Sequence, residues 1–231
     1  MISGGVAIIG ATGRLGSAIH RACDDNAVPV VATACSAGWN TESTTPAVVV
    51  DASRPAALPS TIDFCARAGA ALLYCVSNPT PEGLRRLRVL GRDVPVGLVT
   101  NLSPLQWIQT RTAQLSARLA GMLQLPVEVT VIDRHPAAKA DAPSATAQLL
   151  ASALPLSATV ASERFGPRVC DHRVVLTARG ETYEIAHSVR DLDLVAAAAV
   201  RLAAHLAGSA PGVFSTDELY TQLTCRREGD R

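Results

Sequence analysis

Lysine is almost missing from this chain. Of its 21 lysine and arginine residues only Lys139 is a lysine. In a composition this hostile to lysine, a residue needed only for charge would be arginine, so Lys139 is expected to do something arginine cannot. An ammonium is a compact charge whose pKa burial can lower, whereas a guanidinium stays charged and needs a wide, flat site. Charge of one sign is also lacking: the formal net charge is +1 and no basic run stands out. That argues against a nucleic-acid or polyanion partner. The six cysteines, Cys23, Cys35, Cys65, Cys75, Cys170 and Cys225, form no CxxC and no His/Cys cluster of metal-ligand spacing. They read as reduced and mostly buried, and no metal is expected. The start, Met-Ile-Ser-Gly-Gly-Val, has no basic n-region or long apolar h-region, and no segment reaches the roughly eighteen apolar residues that span a bilayer. A soluble, cytoplasmic protein without membrane contact is expected.

What is present suits folding. The chain has 231 residues, 48% hydrophobic and 18% charged, which is enough for one large or two small domains with a proper core. Val6–Ile9 reads as a buried strand, followed by Gly10-Ala-Thr-Gly13-Arg-Leu-Gly16 and an apolar-periodic helix. Strand, glycine turn and helix together form a dinucleotide phosphate site: the glycines allow a tight turn, close approach of a pyrophosphate, and close packing of helix on strand. Gly10, Thr12, Gly13, Arg14, Leu15 and Gly16 are the candidate contacts. The GxxGxxG spacing is a weaker sign than GxGxxG, and a purely structural turn is the competing reading.

The next strand, Pro29–Ala34, ends at Cys35 and Ser36, where a carboxylate for the adenosine ribose is usual. None stands there to repel a 2′-phosphate, so NADPH is tolerated at least as well as NADH. Ser36 is a candidate contact, and Arg14 could meet the phosphate or simply face solvent. Residues 37–45 lead directly to a third strand ending at Asp51. A helix over 59–68, a strand over 71–75, the loop Val76-Ser77-Asn78-Pro79, a helix over 81–90 and a strand over 94–99 complete five strand-crossover repeats, which imply a parallel sheet. Asp51, Ser77, Asn78 and Asn101 sit at or after strand ends, where ligands gather.

The chain leaves this domain near Asn101. Residues 108–123 form a long helix with Leu115, Leu119 and Leu123 at helical spacing, expected in the core. Val127–Ile132 alternates like a half-buried strand and delivers the stretch Val131 to Ala147. His135 titrates near neutrality and lies four residues before Lys139. Asp141-Ala-Pro-Ser144 reads as a capped helix start whose N–H groups can bind an anion. An imidazole, an ammonium and such a helix end suggest a small-carboxylate site. The competing reading is of ordinary loop residues and an ordinary cap. A hairpin over 173–185 turns at Ala-Arg-Gly180, flanked by His172 and His187, each of which reads equally as a histidine reaching the site or as a satisfied structural one. A helix over 194–207 follows, and a tail returns to the first domain.

This order of motifs resembles the dihydrodipicolinate reductase family over almost the whole chain. The resemblance rests on Gly10, Gly13 and Gly16; on His135, Lys139, Asp141-Ala-Pro-Ser144, Thr146 and Ala147; and on Gly180-Glu181, Glu184-Ile185 and His187. It implies an α/β protein with an N-terminal Rossmann-like parallel-sheet domain (1–101 plus 193–231) and a second α+β domain (102–192) for substrate and oligomerisation. It also implies NAD(P)H-dependent reduction of a small carboxylated heterocycle in a cleft between the domains, in a tetramer or dimer. The general acid falls on His135, the substrate-holding lysine on Lys139, and carboxylate binding on Ser144, Ala145 and Thr146.

Departures from the family pattern cluster around nicotinamide and substrate. Pro136 stands where a second histidine is usual and Ala145 where glycine is. The Gly-Thr-Thr-Gly loop is Cys75-Val76-Ser77-Asn78, the Asn-Phe-Ser loop is Asn101-Leu102-Ser103, and the Ser-Arg pair is Asp191-Leu192. Such changes suit a substrate from specialised metabolism rather than lysine biosynthesis. The alternative is that the fold persists without redox chemistry, as a cyclase, a dehydratase or a binding protein.

Overall fold

A computed structural model describes residues 2, 4–41, 44–77, 79–166 and 170–228. The chain forms two compact units. The first comprises Met1–Ser103 and Leu192–Arg231, and the second Pro104–Asp191.

The first unit is built on a seven-stranded sheet. Its strands are β1 (Val6–Ile9), β2 (Val30–Cys35), β3 (Gly38–Thr41), β4 (Val48–Asp51), β5 (Ala71–Tyr74), β6 (Pro95–Leu98) and β11 (Gly212–Ser215), in the spatial order β11-β6-β5-β4-β1-β2-β3. Every residue of β1, β4 and β5 is buried, as expected of parallel strands covered on both faces. Helices α1 (Arg14–Asp25), α2 (Leu58–Ala68) and α3 (Pro81–Leu90) make the crossovers. Gly69 ends α2 with φ 61°, a left-handed cap that glycine adopts without strain. Thr80 starts α3 by accepting from the Gly83 N–H at 3.0 Å, with Pro81 in the first turn.

The sheet corrects one expectation. Residues 38–41 do not simply connect: they form an antiparallel edge strand on β2, pairing Trp39 with Ala34 and Asn40 with Thr33. A tight reversal at Gly38, whose φ is 124°, lets so short a polar segment fold back on the edge.

The unit is completed by the returning chain. Helix α6 (Asp193–Ala207) buries Ala196, Ala199, Leu202, Ala203 and Leu206 and packs on α1, β4, β5 and β6. Strand β11 adds parallel to β6. Helix α7 (Thr216–Glu228) is tied in by the Tyr220 hydroxyl, which donates to the Leu102 carbonyl at 2.5 Å.

The second unit holds α4 (Pro104–Met122), β7 (Glu128–His135), α5 (Ala145–Ala153), β8 (Ala158–Arg164), β9 (Cys170–Ala178) and β10 (Glu181–Val189), with sheet order β10-β9-β7-β8. Strand β7 alternates in burial along its length. It runs to His135 rather than ending at Ile132, so the imidazole is fixed on a strand instead of a loop. Strand β8, absent from the sequence expectations, pairs parallel with β7, which makes β7-α5-β8 a crossover unit. The hairpin is longer than expected at both ends, and His172 and His187 lie within it as a directly opposed pair.

The long helix α4 contradicts its expected register. Leu115, Leu119 and Leu123 are 54%, 46% and 69% exposed, while Gln106, Gln109, Ala113, Ala117 and Ala120 are buried. Both stripes have helical spacing. The small one lies closer to the sheet, and Gln109 locks it there by donating to the carbonyls of His172 at 2.7 Å and Ile185 at 2.9 Å.

Candidate functional site

Each unit carries one group of candidate residues. In the first, Gly10 turns the chain at φ 82°. Its N–H and that of Ala11 donate to the Ala34 carbonyl, and the Gly13 N–H closes the turn on the Gly10 carbonyl at 2.9 Å. A Cβ at residue 16 would lie 2.1 Å from the Gly10 oxygen, so Gly16 is what lets α1 start directly on the turn. Gly13 caps α1 without a side-chain hydrogen bond, which leaves the helix start suited to an anion.

A cavity of about 330 Å³ opens here, lined among others by Gly10, Thr12, Gly13, Ser36, Trp39 and Arg54. Arg14 and Leu15 do not line it. Trp39 and Arg54 were missed from sequence, although Arg54 follows the strand end at Asp51. Trp39, stacked on Phe64 at 4.5 Å, is brought in by the unforeseen strand β3. The glycine cradle, the uncapped helix start and the cavity fit a dinucleotide.

Asp51 needs correcting as a ligand contact. It is fully buried. Its Oδ1 accepts from the N–H and hydroxyl of Ser53, and its Oδ2 from Thr61 at 2.8 Å. Burial pushes its pKa up, and those hydrogen bonds only partly offset that. Its work is to hold the 51–53 bend. Among the remaining candidates, Ser77 is exposed, Asn78 lies outside the described residues, and the Asn101 Oδ1 accepts from the Ser103 N–H at 2.9 Å.

In the second unit a polar cluster is buried beneath β7 and β9. Asp133, fully buried, accepts at Oδ2 from His135 Nδ1 (3.0 Å), Arg164 (3.0 Å) and the Ser144 N–H (3.2 Å), and at Oδ1 from Ser162 (2.5 Å). Burial alone would raise its pKa, but the hydrogen bonds from Ser162, Ser144 and Arg164 outweigh burial and hold it below the ordinary value. The carboxylate therefore fixes the proton of His135 on Nδ1. The other nitrogen, Nε2, lies 3.1 Å from Cys170 Sγ.

Burial pushes the His135 pKa down, and the Lys139 charge adds to this, against the opposing pull of Asp133. His172 is lowered further, to about 4, by burial and by His135. Burial pushes the Cys170 thiol up to about 11, with Lys139 pulling the other way.

Lys139 is about one third exposed and pairs with Asp141 at 2.6 Å. Ser144 caps α5 by accepting from the Ala147 N–H at 3.2 Å, and its Oγ also meets His172 Nε2 at 3.3 Å. Its hydroxyl and N–H thus both serve internal contacts, while Ala145 and Thr146 are half-buried in the first turn.

No local pattern pointed to Cys170, Ser162 or Arg164. Asp133 had a visible signal, lying two residues before His135 on the same strand face. His172, expected beside the hairpin as either a site-facing or a structural histidine, is 1% exposed and faces the cluster. The expectation of no His/Cys cluster fails in three dimensions: His135, Cys170 and His172 bring ligand atoms within 4.8 Å of one another.

The chain is similar to known proteins in sequence and in fold. A family model described as "Dihydrodipicolinate reductase, C-terminus" matches residues 110–219. The chain is 24% identical to a 4-hydroxy-tetrahydrodipicolinate reductase of Clostridium tetani, over 92% of this chain and 95% of that one. It is 28% identical to one from Pseudomonas fluorescens, over 72% and 70%. Its fold is similar to that of a dipicolinate-bound dihydrodipicolinate reductase from Paenisporosarcina sp. TG-14, with a TM-score of 0.71 at 16% identity, covering 91% of this chain and 96% of that one.

Proposed function

The chain belongs to the dihydrodipicolinate reductase family, a group of nicotinamide-dependent oxidoreductases, as a divergent member, and on that premise we propose that it reduces a small carboxylated cyclic imine or conjugated enamine. The observation that carries this reading is the Asp133–His135 pair, whose geometry fixes one imidazole proton and aims the other nitrogen outward from the carboxylate.

The first unit holds the coenzyme. Gly10, Thr12 and Gly13 receive the pyrophosphate, and Ser36, Trp39 and Arg54 receive the adenosine ribose. With no carboxylate at the end of β2, Arg54 favours a 2′-phosphate and hence NADPH. When bound, the coenzyme supplies hydride to the carbon of the C=N or C=C bond.

The second unit holds the substrate and supplies the proton. His135 Nε2 donates to the substrate nitrogen or carbanion, which takes the place of the Cys170 thiol, and Asp133 stabilises the imidazolium that precedes transfer. Lys139 exchanges Asp141 for the substrate carboxylate, helped at the α5 start by Ala145 and Thr146, because the hydroxyl and N–H of Ser144 are held by internal contacts. Pro136 and Ala145, and the altered 75–78 loop, support a substrate of specialised metabolism over the lysine-pathway one. We place the enzyme in the cytoplasm as a homo-oligomer.

A correctly placed general acid contributes about two to four orders of magnitude in rate. His135→Gln is therefore expected to lower turnover by about 100-fold or more in an NADPH-oxidation assay with cyclic imino acids, with NADPH affinity near that of the unaltered protein. Near-normal turnover removes His135 from the mechanism. Failure to bind NADPH in a calorimetric titration would instead favour a non-redox enzyme on this fold.

A further inference from the structure

His135, Cys170 and His172 form a ligand set that neither cofactor binding nor proton transfer explains. Cys170 and His172 alternate on β9 and so face the same way, and β7 sets His135 opposite them. Cys170 Sγ lies 3.1 Å from His135 Nε2 and 3.9 Å from His172 Nδ1. Around zinc, metal–sulfur and metal–nitrogen bonds of about 2.3 and 2.0 Å in a tetrahedron put ligand atoms roughly 3.3–3.6 Å apart. The observed separations bracket that value, so small side-chain rotations would close the site.

A second, independent observation concerns the outer nitrogens. Each imidazole turns one nitrogen towards the thiol, and an oxygen holds the other: Asp133 at 3.0 Å for His135 and Ser144 at 3.3 Å for His172. Asp133 is fixed in turn by Ser162 and Arg164. Metal-binding histidines are characteristically oriented in this way, through the nitrogen that does not ligate.

We propose that His135 Nε2, Cys170 Sγ and His172 Nδ1 bind one zinc-class divalent cation, leaving a fourth position for water or a substrate group. A thiolate with two imidazoles selects borderline, tetrahedral ions over magnesium or calcium, and the thiol proton is released to solvent on binding. The inference goes beyond the reductase reading and does not require it. With Nε2 ligated, His135 has no proton to give, so the metal-bound form is closed to reduction.

The test is titration of the reduced full-length protein with cobalt(II), read by absorption. The expected result is saturation at one equivalent, with visible bands of a tetrahedral ion and a near-ultraviolet thiolate-to-cobalt band. Cys170→Ser and His172→Gln should each lose the near-ultraviolet band or weaken binding at least tenfold, while Cys225→Ser keeps both properties. No band in the unaltered protein at several-fold excess cobalt overturns the proposal, as does a band that survives Cys170→Ser. Because the readout is spectral, it succeeds or fails independently of whether the protein oxidises NADPH.

Discussion

Two charged residues at strand ends take opposite parts. Asp51 is buried with a raised pKa, so the folded chain holds its proton more tightly than the unfolded chain does. Its contribution to stability is therefore greatest below the unfolded value, about 3.9, and falls as pH rises through the folded value. Asp51→Asn keeps an acceptor for Ser53, and its amide can donate to Thr61 while the Thr61 hydroxyl donates to the Ala57 carbonyl. The variant's melting temperature, relative to the unaltered protein, is expected to rise from about pH 4, where an unfolded aspartate titrates, to about pH 7. A pH-independent difference would show that the carboxyl titrates normally. Arg54, on the cavity wall, carries the expected coenzyme preference. Arg54→Ala should raise KM for NADPH about tenfold, the equivalent of roughly 1.4 kcal/mol, and barely change that for NADH. Equal effects on the two would remove the 2′-phosphate contact.

Among the elements, α4 shows where periodicity stops being informative. Its leucine stripe and its alanine–glutamine stripe are both helical in spacing, and hydrophobicity alone chooses the leucines. The sheet chose the other stripe because alanine permits close approach and because Gln109 meets two strand carbonyls, a pairing no local pattern reveals. The two registers differ in their consequences. Leu115→Ser with Leu119→Ser should cost less than about 1 kcal/mol, as for exposed positions, whereas Ala117→Leu, at a fully buried position, should cost about 1–3 kcal/mol by overpacking. Urea denaturation of the two variants decides it, and the reverse order would restore the leucines to the core. Strand β8 went unread because none of its residues is fully buried and Val160 is its one large apolar side chain, too little to mark a strand face. The glycine turn and α3 were legible because Gly10, Thr80 and Pro81 act through local backbone geometry.

At the scale of the molecule, the first unit is discontinuous in sequence. Helix α6 fills its interior, with Ala199, Leu202, Ala203 and Leu206 fully buried, so removing 192–231 strips the sheet of a covering layer. That truncation should abolish cooperative melting of the first unit, followed by the fluorescence of Trp39 after Trp107→Phe. A native-like transition would show that the sheet stands without α6. The second unit is continuous over Pro104–Asp191 and has its own core of Val129, Val131, Leu150, Val174 and Leu176. No helix among the described residues is long and apolar enough to cross a membrane.

Whatever depends on neighbours along the chain could be read from the residues directly: the parallel-sheet unit, the glycine turn and the cap at Ser144. Folding in three dimensions selected the buried stripe of α4, spent Asp51 on Ser53 and Thr61, and brought Trp39 and Arg54 to the cavity. It also gathered His135, Cys170 and His172 into one cluster. Local signals come from backbone geometry and hydrophobic period, which act over a few residues, whereas a buried polar cluster is assembled by strand pairing between positions some 35 residues apart, and nothing in the intervening chain encodes that meeting.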